Sequence, residues 1–386
     1  MLTSLKNNRS LTFYQQTKVK YRSVNSSYAG GVSAVLISGV FFTTMSTTNG
    51  YNAQLNEYLI KLNTLRARDA QRYNLSSPNQ AARNMGVKRA WMYEKADIEM
   101  GGSGSAHWSA EEKAQILEHD SVRGAEGHHQ QNVSDHPEQQ ANPDNIRFYK
   151  TKDEHLQDGH DGNWDNESNK PMTDKNMMLE KTNSKRVFKN ELKGLGLAVA
   201  IGSAIGLTIG FITTLAQSGI TPDTLKLATI EGLKSGAESG ILSAVGYGIG
   251  RTIGEGEVAS QAISGVLENA GITITENISK MVNMGVVGAL TIVVFSTYQF
   301  IKLKLKGVAT REALIQTGKQ ALFSLSLLAV SIAAQGIWGG AAGIIVSVSI
   351  GFIMITYYVA DAVHQRHFAE KIRIYAIEKC YPSFSV

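Results

Sequence analysis

The chain has 386 residues, with 38 Lys/Arg against 33 Asp/Glu, nine His and one Cys. That length exceeds one ordinary core, so two or three units are expected. The lone Cys380 excludes an internal disulfide framework and a Cys-rich zinc module, and fits a reducing compartment. The net charge of +5 averages unlike regions: residues 101–175 hold 7 Lys/Arg against 15 Asp/Glu, so the whole-chain figure does not by itself imply nucleic-acid affinity.

A basic arm (Lys6, Arg9, Lys18, Lys20, Arg22) leads into the apolar run Ala29–Phe42, which has no clean small-residue cleavage site and makes no convincing secretory signal. The run is also too short to cross about 30 Å of hydrocarbon, so a buried hairpin or interfacial segment is expected. Asn52–Asn74 reads as an amphipathic helix, with Leu55, Leu59, Leu62 and Leu65 at spacings of three and four, suited to packing or self-association. Ser109-Ala-Glu-Glu112 is a capping box that starts a short helix ending near His119. Gly124 and Gly127 break the periodicity, Val133 to Phe148 reads as strand-loop-strand, and the polar stretch Asp165–Asn183 reads as a linker.

Beyond it the chain turns apolar. Leu195–Leu215 carries Gly202, Gly206 and Gly210, a spacing of four that bares one helix face to a neighbour. Met284–Ile301, Ala321–Trp338 and Ala341–Val359 are long enough to span, whereas Ser239–Ile253 is short and flanked by Glu238, Arg251 and Glu255. Basic residues cluster before the first run (Lys181 to Lys193), between the second and third (Lys302 to Lys319) and in the tail (Arg366 to Lys379). Placing all three in the cytoplasm predicts one span out at 195–215, one back at 284–301, a hairpin of two at 321–359, and 218–282 outside and partly re-entrant or interfacial.

Seven of the nine histidines lie between His107 and His160. Within that window stand Glu126-Gly-His-His129, Asn142-Pro-Asp-Asn145, Glu154-His155 and His160-Asp-Gly-Asn-Trp164. Tandem His, central Asn and paired His resemble the HNH, or ββα-metal, nuclease family, and more closely its GHH-type branch among bacterial nuclease toxins. Ala90-Trp-Met-Tyr-Glu94-Lys, Met100-Gly-Gly-Ser-Gly and Trp108-Ser-Ala-Glu-Glu precede the pair as in that branch. The resemblance covers about residues 80–170. It implies an α+β ββα-metal domain, here joined to an α-helical multi-span membrane domain.

The resemblance also implies roles. His128 would be a metal ligand and His129 the general base; Asn145 would fix the hairpin loop and orient that base, and His155 and His160 would complete the ligand set on the following helix. Five residues is about 500° of α-helical rotation. Convergence of His155 and His160 therefore requires a distorted turn at Gly159, or else Asp161 or Glu154 replaces one of them. Arg123, Arg147 and Lys150 are the phosphate-contact candidates. The cofactor would be one divalent ion; imidazoles suit Zn²⁺ or Ni²⁺, while Mg²⁺ or Mn²⁺ would call for more oxygen ligands, and the choice stays open.

The expected organisation is a basic arm and amphipathic helix (1–78), a nuclease domain (79–175), a basic juxtamembrane linker (176–193), a glycine-rich transmembrane domain (194–362) and a basic tail (363–386). The function expected is metal-dependent hydrolysis of DNA phosphodiester bonds by a multi-pass protein of the bacterial inner membrane. Its nuclease would face the cytoplasm, in antiphage defence or as a toxin. Double-stranded DNA, the lipid bilayer, a second copy and an immunity protein are the expected partners. The alternative is a pore-forming or membrane-disrupting effector whose head is a sensor. A third reading has the apolar half carry the nuclease across a target membrane.

Overall fold

The computed structural model describes residues 2–164, 166, 169–254 and 276–338, with scattered positions in 261–273 and 349–375. The protein is helix-rich with one small two-stranded sheet. It divides into two compact units, residues 46–191 and residues 1–45 with 192–386.

In the first unit, the second half of helix α1 (Leu2–Arg72) is followed by α2 (Gln80–Glu99), α3 (Ala110–His119), strand β1 (Glu126–His129), strand β2 (Ile146–Tyr149) and the single turn α4 (Lys152–Glu154). Helix α5 (Lys175–Ser218) begins here. Local chemistry sets the boundaries. Asn79 Oδ1 accepts the amides of Ala81 and Ala82 at 2.9 and 3.2 Å and so starts α2. The capping box at α3 is formed: Ser109 N donates to Glu112 Oε2 at 2.7 Å, and Glu112 N donates to Ser109 Oγ at 3.2 Å.

The core behind the hairpin is aromatic. Trp91 lies 5.5 Å from Trp108 and 3.9 Å from Phe148, centroid to centroid, with Ile98, Ile116 and Ile146 buried around them. Beneath this core two carboxylates are buried and matched. Glu94 accepts from Ser105 N (2.7 Å), Ser105 Oγ (2.6 Å) and Trp108 Nε1 (2.8 Å), and pairs with Lys175 Nζ at 3.3 Å. Asp97 accepts from Gly104 N at 2.8 Å and Thr182 Oγ1 at 2.5 Å. The Met100-Gly-Gly-Ser-Gly stretch thus serves as a loop aiming amides at these acids; Gly104 has φ +70°, and a Cβ there would strike the Trp108 ring. Burial raises the Asp97 pKa, against the two hydrogen bonds that lower it.

Two sequence expectations change here. The strands are 126–129 and 146–149, not Val133 to Phe148, because residues 137–139 and 143–145 form 3₁₀ turns that fold the long loop on itself. The stretch Asp165–Asn183 is no free linker: from Lys175 it is helical, and Lys175, Leu179 and Asn183, one turn apart, are buried. The amphipathic helix over 52–74 is present as the end of α1, and Leu62 joins Tyr93, Ala96, Met100 and Leu179 in a second cluster.

In the other unit, α5 continues and is followed by α6 (Pro222–Gly254), α7 (Glu276–Leu305) and α8 (Thr310–Trp338). Among the described residues three helical stretches, Lys175–Ser218, Met281–Leu305 and Thr310–Ala333, are long and apolar enough to cross a membrane. The run at 341–359 and Cys380 lie outside the described residues. Ala29–Phe42 forms no hairpin; it is part of α1, with Val32 packed on Ile205 and Ile209, and Ile37 and Phe41 in a cluster with Ala198 and Tyr247.

Glycine sets the helix approaches. A Cβ on Gly202 or Gly206 of α5 would collide with Ser243 or Ser235 of α6, and one on Gly236 of α6 would meet the Ser203 carbonyl of α5 at 3.0 Å. These contacts make α6 antiparallel to α5. Gly246 against Thr291 and Gly250 against Val287 make α7 antiparallel to α6. Helix α7 therefore runs in the same direction as α5. Helix α6 returns alongside α5, with Glu231 paired to Lys234 and Glu238 to Lys302.

Candidate metal centre

The hairpin register pairs Glu126 with Tyr149, Gly127 with Phe148, His128 with Arg147 and His129 with Ile146. Alternation then separates two faces. Gly127 and His129 share the core side with Ile146 and Phe148, and Glu126 and His128 share the opposite side with Arg147 and Tyr149. Gly127 has no room for a side chain, since a Cβ would sit 3.0 Å from Val87 and 3.2 Å from both Ile146 and Phe148.

On the second face His128, His155 and His160 each offer a ring nitrogen, and these atoms lie within 4.8 Å of one another. The five-residue spacing is accommodated because the backbone from His155 to Gly159 is π-helical. The wider i→i+5 turn brings His160 round to His155, a distortion found often at functional sites. Gly159 permits it: a Cβ there would lie 2.8 Å from His155 Cδ2 and 3.6 Å from His128 Nδ1. Neither alternative ligand joins the group. Asp161 Oδ1 is 3.4 Å from Lys170 Nζ, and Glu154 Oε2 accepts the Lys150 amide at 2.8 Å.

Hydrogen bonds fix the tautomers. His155 Nδ1 lies 2.5 Å from Glu126 Oε2, an acceptor, so Nδ1 donates there and Nε2 is the nitrogen that faces the cluster. His160 Nδ1 lies 3.0 Å from the Asn166 carbonyl and likewise donates there. His155 Nε2 stands 2.9 Å from His128 Nδ1, while His128 Nε2 is buried without a partner among the described residues. Burial, then the neighbouring His155 and His160, push the His128 pKa down to about 3, which keeps its ring neutral. Three imidazoles, one backed by a carboxylate and one by a carbonyl, form a donor set that fits a divalent ion. Tyr149 stacks on His155 at 5.5 Å, and Trp164 stands 5.2 Å from His155 and 5.0 Å from His160.

The remaining site residues are placed differently. His129 lies on the core face, its Nε2 3.0 Å from the Gln140 carbonyl, and burial lowers its pKa. Asn145 is fully buried and closes the loop: Oδ1 accepts Gln131 N at 2.7 Å, and Nδ2 donates to the carbonyls of Gln131 and Gln139 at 3.1 and 3.4 Å. Arg147 is exposed on the metal-ligand face, 5.3 Å over the Tyr149 ring, and Arg123 is exposed on the turn before β1. Lys150 is not left for a phosphate, because its Nζ is tied to Glu112 Oε2 at 2.8 Å and the His107 carbonyl at 3.2 Å. Two residues gained a place that their sequence context did not signal. Glu126 sits two positions before His128 and so on its face, and Gln140 is locked to Asn79 N and Ser77 O while its carbonyl holds His129.

The Gly-His-His strand decides the comparison. Residues 79–150 match the family of GHH signature containing HNH/Endo VII superfamily nuclease toxins. The nuclease-toxin segment so defined takes in α2, the hairpin, His128, His129 and Asn145, and points to a nuclease. His155 and His160 lie beyond it, so their association with His128 rests on the geometry. No curated protein and no solved structure matches the chain.

Proposed function

We propose that the chain is a membrane-anchored, metal-dependent DNA endonuclease of the ββα-metal type, its catalytic domain within residues 79–175. The observation that carries this reading is the meeting of His128, His155 and His160 beside a Gly-His-His strand. A divalent ion held by these three would supply charge neutralisation at the scissile phosphate. His129 is the general base. The Gln140 carbonyl holds the proton on Nε2, so Nδ1 is the basic nitrogen, and burial keeps the ring neutral below the usual histidine range. Asn145 acts through the loop: it binds the Gln139 carbonyl, next to the residue that orients His129. Glu126 orients His155, and Arg147 offers an exposed guanidinium to the substrate backbone.

The protein sits in a bacterial inner membrane through its apolar helices, with the nuclease on the cytoplasmic side. The basic run Lys181, Lys185, Arg186, Lys189 and Lys193, just before the apolar part of α5, supports that orientation. It acts on DNA in toxin activity or in defence against DNA entering the cell, and as a toxin it would need an immunity partner. The test is incubation of the full-length protein in detergent micelles with plasmid and, separately, Zn²⁺, Mg²⁺, Mn²⁺ or Ni²⁺, beside His128→Ala and His129→Ala. Cleavage should appear with at least one ion and vanish in both variants. No cleavage with any ion, or equal cleavage by His128→Ala, overturns the proposal.

A further inference from the structure

Trp164 has no part in the chemistry above, yet it stands at the edge of the imidazole cluster. Its ring centroid lies 5.2 Å from His155 and 5.0 Å from His160, and it remains 44 % exposed. Lys152 Nζ lies 5.8 Å over the same ring. An indole offers a large, rigid π-face at low conformational cost to a partner ring. The cations nearby are few and mostly engaged: Lys150 by Glu112, Lys170 by Asp161 and the Asp158 carbonyl. The stretch 101–175 has twice as many acids as bases. Besides the exposed Arg147 and a bound ion, few charge contacts remain on this face, so contacts that do not depend on charge add to them.

Resting on the nuclease reading of the same site, we propose that Trp164 is a stacking platform for an unpaired nucleobase beside the scissile phosphate, which makes single-stranded or locally unpaired DNA the preferred substrate. Every base has a π-face, so such a platform reads exposure of the base and not its identity. In an intact duplex the bases are already stacked on each other, and reaching the indole would require extrusion. This departs from the double-stranded partner expected from the sequence.

The experiment uses the full-length protein in detergent micelles with two fluorescein-labelled 12-mers, oligo-dT and an abasic phosphodiester of the same length. Binding is read by anisotropy without added divalent ion. Trp164→Ala should weaken oligo-dT binding by at least about fivefold, the effect of losing one stacked base, and leave the abasic 12-mer unchanged. Trp164→Phe should keep oligo-dT binding near wild type, whereas Trp164→Leu, which fills the space without a π-face, should behave like Trp164→Ala. Equal weakening on both oligomers, no weakening on oligo-dT, or a wild type that prefers neither oligomer overturns the proposal. Cleavage of oligo-dT with a divalent ion is scored separately. A wild type that binds through Trp164 but never cuts removes the nuclease and keeps the platform, and a wild type that cuts regardless of Trp164 does the reverse.

Discussion

In residues 46–191 the interior is built from large aromatic rings and hydrogen-bonded carboxylates, while the helices of the other unit meet through glycine, serine and threonine. Glu94 and Asp97 are satisfied by groups from distant parts of the chain, including Lys175 and Thr182. The hydroxyls of Thr44, Thr214, Thr291 and Thr317 instead donate to carbonyls four residues back in their own helices. The first interior specifies its partners by polar matching. The second is set mainly by how near two backbones can come, and among the described residues the hydroxyls of Ser235, Ser239 and Ser243 of α6 are buried at the glycine contacts without a hydrogen-bond partner. One unit should therefore be sensitive to a lost partner and the other to added volume.

The largest break in that contrast is expected at the buried ion pair. Lys175→Met strands the Glu94 carboxylate and should cost about 3–5 kcal/mol, whereas adding Glu94→Gln, which removes the acid and keeps an acceptor for Ser105 and Trp108, should recover part of it. Thermal unfolding followed by tryptophan fluorescence reads both, and a single variant as stable as wild type would refute polar matching. Next in size is Glu126→Gln, which removes the carboxylate behind His155. Calorimetric titration with divalent ions and plasmid cleavage should both fall about 10- to 100-fold with the fold intact. Smaller again is Gly206→Leu on α5. Its side chain meets Ser235 and Ser239 and should cost about 1–3 kcal/mol of helix packing. Protease digestion should then expose α5–α6 while nuclease activity persists; parallel loss of activity would show that the two interiors are not separate.

The smallest effect concerns pH. Burial raises the Asp97 pKa in the folded unit, so its stabilising share is complete below the unfolded carboxylate value of about 4 and is lost as pH rises through the raised folded value. Asp97→Asn should flatten the stability profile across that window relative to wild type. Identical pH profiles would place the ionisation elsewhere.

Much of the candidate site was legible because histidines and asparagines that the fold brings together stand out by type and spacing. Tandem His128-His129, Asn145 and the outlying His155 and His160 could all be found in one dimension. What could not be read was partnership. Lys150 looked like a phosphate contact because a lone cation near such a motif gives no hint of Glu112, which lies far back in the chain. Glu126 was one acid among many until strand alternation put it on the face of His128. Lys175 and Glu94 are separated by α3, the hairpin and the histidine turn, so nothing local tied the polar stretch to the core. In the apolar half the glycine spacing foretold a close helix approach.

The π-turn between His155 and Gly159 has a consequence for how this site tolerates changes in chain length. Deleting exposed Gln157 would shrink the loose coil to an ordinary one, whose four-residue repeat also stacks side chains along a single edge. Ion grip should survive that excision, whereas the same one-residue loss within Glu126–His129 would turn the imidazoles inside out. The cage is thus elastic on its helical wall and rigid on its sheet wall.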